Sequence, residues 1–206
     1  MLRVAICFFL IAGLTVPLGA GVERVSPSVL TVILDFKGPF SNASLREMER
    51  ESGLVLQSSG VRLDWRMLGE DPYAAYGDLV VMTFRGACKY EPAAPPIDVD
   101  DELGPLAMTH SVNGEIQPFG EVNCDRVVNS ARNAMLGADY ARADLLIGRA
   151  LGRVVTHELV HMITGSAEHG PEGVEKSSLS GRQLIGGELP LSGFDIDRLK
   201  QRLQWR

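Results

Sequence analysis

Cysteine, histidine and clustered basic residues are all scarce in this 206-residue sequence, which has three cysteines and four histidines. Its 20 lysines and arginines are outnumbered by 26 aspartates and glutamates, so the formal net charge is −6. The basic residues form no patch of the kind that binds nucleic acid, and we expect no nucleic-acid partner. Internal repeats and low-complexity tracts are also missing, which excludes a repeat architecture.

Long hydrophobic runs are missing too, except for one between Val4 and Leu14. This run follows the basic Arg3 and precedes the small residues Gly19–Gly21, the order typical of a secretory signal peptide. It is short for a membrane span, although a retained N-terminal anchor is the alternative. We therefore expect residues 1–20 to be a signal peptide. Residues 21–206 then form one monomeric domain, secreted or periplasmic, without stable membrane association.

Two cysteines remain after Cys7 leaves with the predicted signal peptide. In an oxidising compartment the remaining pair, Cys88 and Cys124, predicts one disulfide. Two free buried thiols are the alternative, because spacing alone does not show that the sulfur atoms meet.

The hydrophobic pattern alternates between strand and helix periods along the chain. A capping box at Ser44 and Glu47 predicts the start of the first helix. The Asn113-Gly114 pair predicts a hairpin turn, and Pro118 places part of that hairpin at a sheet edge or a bulge. The predicted elements are a strand at 29–36, a helix at 44–59 ended by Gly60, strands at 61–68 and 79–84, a loop at 91–104, hairpin arms at 106–112 and 115–119, a helix at 127–135, a long helix at 139–163, a turn at 180–183 and a terminal helix after a second capping box at Ser192–Asp195.

The long predicted helix contains Gly148 and Gly152, although glycine is costly in a helix interior. We expect the two glycines to let this helix approach the sheet closely. Arg142, Arg149 and Arg153 are predicted to form a solvated stripe on the same helix.

The C-terminal half of that helix carries His157 and His161, four residues apart, with Glu158 directly after the first. Residues i and i+4 share a helix face, so two imidazoles can reach one metal ion. Zinc accepts imidazole nitrogen, and catalytic zinc sites keep three protein ligands and one open position. Glu158 is predicted to take a proton from the zinc-activated water. Two ordinary histidines on an amphipathic helix are the alternative reading.

This motif resembles the signature of the zincin metallopeptidases, and within them of the metzincins, H-E-x-x-H-x-x-G-x-x-H followed by a Met-turn. His157, Glu158 and His161 are in register with it, Gly165 is one place late, and His169 is two places late. The spacing is similar to that of small exported bacterial metzincin-like proteins. No methionine follows Met162, and residues 173–177 stand where the Met-turn is expected.

The resemblance implies an α+β, zincin-like fold with a twisted mixed β-sheet. It further implies an N-terminal helix, a long H-E-x-x-H helix and a small C-terminal helical part. It implies an enzyme, a zinc metallopeptidase with Glu158 as general base and an extended peptide substrate along the edge strand Leu106–Val112. His110 lies on that strand, either as a half-exposed histidine or to polarise the substrate carbonyl. No tyrosine follows Tyr140, which suggests a slow or selective enzyme. The alternatives are a zinc-binding module that cleaves little, and a metal-dependent hydrolase of other bonds.

The third metal ligand is predicted to be His169. One helix face offers two ligands, so the chain must turn back after Gly165 to deliver a third, and Gly170-Pro171 fixes its exit. Three glutamates remain alternative ligands, because other zincins use a downstream glutamate: Glu172, Glu175 and Glu188.

Overall fold

The computed structural model describes residues 28–71, 73, 75–92 and 104–204. The predicted signal peptide at 1–20 and most of the predicted loop at 91–104 lie outside these residues. Within the described ranges, no helix is both long and apolar enough to cross a membrane.

Within the described residues, five strands form one mixed sheet: Ser28–Phe36 (β1), Val61–Met67 (β2), Asp78–Arg85 (β3), Ala107–Val112 (β4) and Glu115–Asn123 (β5). Their order in the sheet is β2-β1-β3-β5-β4. Neighbouring strands run parallel except β4 and β5, which are joined by the predicted hairpin and run antiparallel. The predicted strands are therefore present, and β4 is an edge strand.

The helices follow the predicted order, and the predicted α+β class with a mixed sheet, an N-terminal helix and a small C-terminal helical part is confirmed. The α-helix bounds are Asn42–Leu56 (α1), Cys124–Ala134 (α2), Ala143–Thr164 (α3), Gly181–Ile185 (α4) and Gly193–Gln204 (α5). Short 3-10 turns occupy Gln57–Ser59, Gly137–Arg142 and Gly173–Glu175.

The hairpin turn has the backbone that its sequence predicts. Asn113 and Gly114 both adopt positive φ, 53° and 84°, as the two central residues of a type I′ turn do. The pairing of β4 with β5 is irregular between Thr109 and Ser111, and Pro118 lies opposite this irregularity. The predicted bulge at Pro118 is therefore confirmed.

Helix α3 lies at the centre of the molecule and packs against β4, β5 and the other four helices. It is buried nearly all round, which explains why its apolar residues do not keep to one narrow stripe. Its first turns bury Leu146, Ile147 and Ala150, and its last turns carry the histidine motif. The helix that carries the histidine motif is therefore buried in the core along most of its length.

Gly148 and Gly152 of α3 face helix α1, so the prediction that they approach the sheet was wrong. A Cβ atom at Gly148 would lie 2.7 Å from the Cβ of Glu47 and would also meet the carbonyl oxygen of Ser44. A Cβ at Gly152 would lie 2.8 Å from the carbonyl oxygen of Met48. The two glycines are the contact surface between the two helices.

The first helix begins three residues earlier than its predicted capping box. Ser41 is the N-cap, and its side chain accepts a hydrogen bond from the backbone N–H of Ser44. The hydroxyl of Ser44 instead donates to the carbonyl oxygen of Asp144 at 2.9 Å. A serine that the sequence assigns to a cap therefore joins α1 to α3.

Arg153 is buried, with 2% of its side chain exposed, so the prediction of a solvated arginine stripe was wrong at this position. Its Nε donates to Glu51 Oε1 at 2.8 Å. Its guanidinium also donates to the carbonyl oxygens of Gln183 and Gly187. The side chain thus connects α3 to α1 and to the segment around α4.

Cys88 and Cys124 form the predicted disulfide, with their Cα atoms 4.9 Å apart. Cys88 follows β3 and Cys124 begins α2 directly after β5, so the bridge joins the ends of two neighbouring parallel strands.

Candidate metal centre

Helix α3 presents His157 and His161 on one face, as the motif predicts. Their Nε2 atoms lie 3.1 Å apart, and their rings meet edge to face with centroids 4.7 Å apart. Two side-chain nitrogens at this separation converge on one point in the cleft beside the helix.

The helix ends at Gly165, whose φ of 65° is the left-handed conformation that glycine adopts most readily. The chain then returns His169 to the two helical histidines, with ring centroids 5.1 Å from His157 and 4.9 Å from His161. One ligand atom from each of the three histidines lies within 4.8 Å of the others. Glu172 and Glu188, two of the alternative ligands, are exposed and stand outside this group.

Backbone carbonyls orient the two helical imidazoles. His157 Nδ1 donates to the carbonyl oxygen of Val174 at 2.9 Å, and His161 Nδ1 donates to that of Ser166 at 2.7 Å. A ring whose Nδ1 holds the proton leaves Nε2 as the free electron-pair donor. Burial lowers the pKa of both histidines, which favours the neutral form that binds a metal.

Glu158 faces the strand side of the cleft, with 5% of its surface exposed. The hydroxyl of Thr109, on β4, donates to Glu158 Oε2 at 2.7 Å. Burial raises the pKa of Glu158, and the Thr109 hydrogen bond lowers it in part. Sequence reasoning missed Thr109, although the hairpin's alternation places it on the helix-facing side of β4.

His110, the neighbouring residue on β4, points the other way. It is exposed and does not line the cleft. His110 is therefore an exposed strand histidine, and its position does not support a role in polarising the substrate carbonyl.

The three histidines open into a cleft of about 590 Å³ between β4, α3 and the chain after the last 3-10 turn. Its walls are largely apolar, and Lys176 is the one cationic side chain among the described lining residues. The strand contributes Leu106–Thr109, the helix contributes Val154 and the histidine motif, and the far wall is Lys176–Leu179.

The segment Gly173–Glu175 lies beneath His157, where the Met-turn was expected. Val174 is fully buried and supplies the carbonyl that orients His157. Glu175 is also fully buried, and its Oε1 lies 3.6 Å from His157 Nδ1. Burial, followed by the charges of Asp195 and Glu158, raises the pKa of Glu175 to about 9. The sequence offered Glu175 only as an alternative metal ligand, but this residue is fully buried and stands outside the three-histidine group. Val174 had no predicted role.

These residues fit a zinc ion. Three imidazoles supply nitrogen donors, the two helical rings are fixed through Nδ1, and the third, His169, is exposed on the cleft side. Three protein nitrogens with one open position are the donor set of catalytic zinc sites. Exposed loop glutamates are not needed to complete it.

Among solved structures, the chain is similar to the crystal structure of archaemetzincin from Methanopyrus kandleri. The sequence identity is 16% and the TM-score is 0.47, over 89% of this chain and 99% of that chain. No family model and no curated protein matches the sequence.

Proposed function

We propose that this chain is an exported zinc metallopeptidase that hydrolyses peptide bonds with Glu158 as general base. The observation that carries the proposal is the convergence of His157, His161 and His169 beside a buried carboxylate, at the bottom of an open cleft. Structural zinc sites are closed by four protein ligands, whereas this group has three and faces the cleft. A site of this kind suits hydrolysis.

His157 and His161 would hold the zinc ion through Nε2, and His169 would supply its third nitrogen ligand. Zinc when bound would activate a water molecule and polarise the substrate carbonyl. His157 and His161 keep their Nε2 atoms aimed at one point because Val174 and Ser166 accept the Nδ1 protons. In the proposed mechanism, Glu158 accepts the proton of the attacking water and delivers it to the leaving amine.

Thr109 assists the base by holding one of its two oxygens. The hydroxyl donates to Glu158 Oε2, which leaves Oε1 for the water proton. The burial of Glu158 raises its pKa and makes the carboxylate a stronger proton acceptor. The Thr109 hydrogen bond and the burial of Glu158 support the proposed role as general base.

We propose an extended peptide as the substrate, bound along β4. This strand ends the sheet, and one of its edges has no strand partner in the described part of the chain. The same strand forms a wall of the cleft through Leu106–Thr109. An extended peptide can pair with such an edge through backbone hydrogen bonds and bring its scissile bond to the three histidines. A monomer without nucleic-acid or membrane partners remains our expectation.

The test combines metal analysis with a peptide-library digest of the purified mature protein. We expect one zinc ion per chain and cleavage that stops on treatment with phenanthroline and resumes when zinc is restored. Cleavage that survives complete metal removal would overturn the proposal. Zinc binding without cleavage of any peptide would instead identify a binding module, and cleavage of other bonds only would identify a different hydrolase.

Export is supported by the Cys88–Cys124 disulfide, because thiols are kept reduced in most cytosols. Alkylation of freshly fractionated cells, followed by mass spectrometry, tests this part of the proposal. We expect the bridged form in the periplasmic or secreted fraction. A reduced, cytosolic protein would contradict it.

A further inference from the structure

Three consecutive polar residues on the far wall of the cleft have no part in the proposed mechanism. Lys176, Ser177 and Ser178 all line the cleft, in a setting that is otherwise largely apolar. Lys176 is half-buried, and the two serines are exposed. Among the described residues, neither the ammonium group nor either hydroxyl has a hydrogen-bond or ion-pair partner. These donors are therefore available to a group that enters the cleft.

Lys176 differs in this respect from two other lysines. Nζ of Lys37 lies 2.8 Å from Asp35 Oδ2, and Nζ of Lys89 lies 3.0 Å from Glu91 Oε1. Acidic residues are plentiful in this protein, with 26 aspartates and glutamates against 20 lysines and arginines. Even so, no carboxylate oxygen in the described part of the chain lies within 4.0 Å of the Lys176 ammonium group.

The chain that precedes Lys176 places it beside the metal-binding histidines. The carbonyl oxygen of Val174 accepts from His157 Nδ1 at 2.9 Å, and Glu175 Oε1 lies 3.6 Å from the same nitrogen. The N–H of Gly170 donates to the carbonyl oxygen of Glu175 at 2.9 Å and so holds the end of this 3-10 turn. Lys176 follows directly with extended backbone, φ −61° and ψ 143°. The far wall of the cleft therefore begins at the proposed zinc site.

The charges that line the cleft are divided between its two walls. Glu158 is the one acidic side chain in the described lining, and its Oε2 accepts a hydrogen bond from Thr109 on β4. Lys176 lies on the opposite wall. A zinc ion bound by uncharged histidines would add positive charge between them. The cleft would then be locally positive, although the protein as a whole has a net charge of −6.

We propose that Lys176 is a specificity-determining residue, and that the cleft prefers peptides with a carboxylate close to the scissile bond. This inference rests on the proposed function and names the substrate class of the same site. The ammonium group offers three N–H donors, and the hydroxyls of Ser177 and Ser178 lie next to it in sequence. A carboxylate has only acceptor atoms and carries the opposite charge. The apolar surroundings limit competition from water and strengthen such a contact.

The experiment uses variants of the peptide that the library digest shows to be cleaved best. Each of the two residues on either side of the cleaved bond is replaced in turn by glutamate, glutamine or lysine. Each peptide is made with a free and with an amidated C-terminus. We measure kcat/KM for the unchanged protein, for Lys176→Met and for Lys176→Glu. Lys200→Met is the matched control, because Lys200 is exposed on α5 and does not line the cleft.

We expect the unchanged protein to cleave the best glutamate peptide roughly 10–100-fold more efficiently than its glutamine counterpart, as for a hydrogen bond to a charged group. Lys176→Met should remove most of this difference, and Lys200→Met should keep it. Lys176→Glu should favour the lysine peptide instead. This gain of activity on a new substrate is a result that a merely misfolded variant does not give.

The two forms of each peptide distinguish the two sources of a carboxylate. A preference that survives amidation identifies an aspartate or glutamate side chain as the recognised group. A preference that disappears on amidation identifies the C-terminus of the peptide itself. Either result supports the proposal, provided that the preference is lost in Lys176→Met.

Equal cleavage of the glutamate, glutamine and lysine peptides, without an effect of amidation, would overturn the inference while the peptidase function stands. A carboxylate preference that persists in Lys176→Met would also overturn it, because another group would then be responsible. Cleavage of no peptide overturns the proposed function instead. In that case fluorescence anisotropy with the same peptides and zinc-loaded proteins decides the inference, since carboxylate-dependent binding through Lys176 needs no turnover.

Discussion

The hydroxyl of Thr109 donates to Glu158 Oε2 across the cleft, at 2.7 Å, and so connects the edge strand to the general base of the proposed site. A side-chain hydrogen bond to a charged group contributes about 1.5–3 kcal/mol. Thr109→Val keeps the shape of the side chain and removes this bond. We expect turnover to fall roughly ten- to hundredfold while zinc content stays the same.

The Thr109→Val change should also shift the pH dependence of kcat/KM in a defined direction. Burial raises the pKa of Glu158, and the Thr109 bond lowers it. Without the hydroxyl the pKa rises further, and a base works only above its pKa. The acidic limb of the kcat/KM profile should therefore move to higher pH. Ser111→Ala, an exposed change on the same strand, is the matched control and should leave the profile in place.

Glu158→Gln should keep zinc and lose most of the activity. The amide cannot accept a proton, and positioned general bases contribute typically about 10²–10⁴-fold in rate. Zinc content by mass spectrometry and turnover of one library-derived peptide check this. Loss of zinc in this variant would make Glu158 a ligand, contrary to its placement beside Thr109. Glu168→Gln, an exposed change outside the three-histidine group, is the control.

His169→Ala should weaken zinc binding by more than about 100-fold. Removing only a residue that hydrogen-bonds to a metal ligand already lowers metal affinity by about 10–100-fold. Glu172→Ala and Glu188→Ala should leave the affinity nearly unchanged, because both side chains are exposed and outside the cluster. A zinc-competition titration ranks the three variants. The reverse ranking would favour a glutamate as the third ligand.

Gly148→Ala should destabilise the protein by about 1–3 kcal/mol, the usual effect of overpacking a filled interior. The new Cβ would press on the Cβ of Glu47 and the carbonyl of Ser44, which are part of α1. Gly53→Ala is the matched control, because nothing lies within 4 Å of its added Cβ. That change should stabilise α1 by up to about 1 kcal/mol. Equal effects at both positions, measured by urea unfolding, would contradict the close packing.

Reduction of the Cys88–Cys124 bridge should lower the free energy of unfolding by about 2–4 kcal/mol. The bridge closes a loop with a sequence separation of 36, which reduces the number of conformations open to the unfolded chain. Urea unfolding of the oxidised protein and of a Cys88→Ala/Cys124→Ala variant gives the difference. Two alkylatable thiols in the purified, unreduced protein would show that the bridge is not formed.

The sequence predicted the parts of this molecule that depend on local pattern. Hydrophobic periodicity gave the order of strands and helices, Asn113-Gly114 gave the hairpin, and the motif on α3 brought His157 and His161 together. Gly165 and the short return gave the position of His169. All of these rest on residues close together in the chain.

The errors and omissions depend on contacts between distant segments. Ser44 is a plausible cap by itself, but it is used to reach Asp144, a hundred residues away in sequence. Arg153 can be buried because Glu51 and the α4 segment accept hydrogen bonds from its guanidinium inside the protein. Thr109 meets Glu158 across the cleft, and nothing in its own neighbourhood in the sequence indicates that partner.

The disulfide also affects how a broken chain would be seen. A single cut of the backbone anywhere between Cys88 and Cys124 leaves two fragments joined through sulfur. The hairpin that forms one wall of the cleft belongs to this stretch. On a denaturing gel without reductant, a nicked protein would migrate as one band. Self-cleavage in this part of the chain would therefore be visible only after the disulfide is reduced.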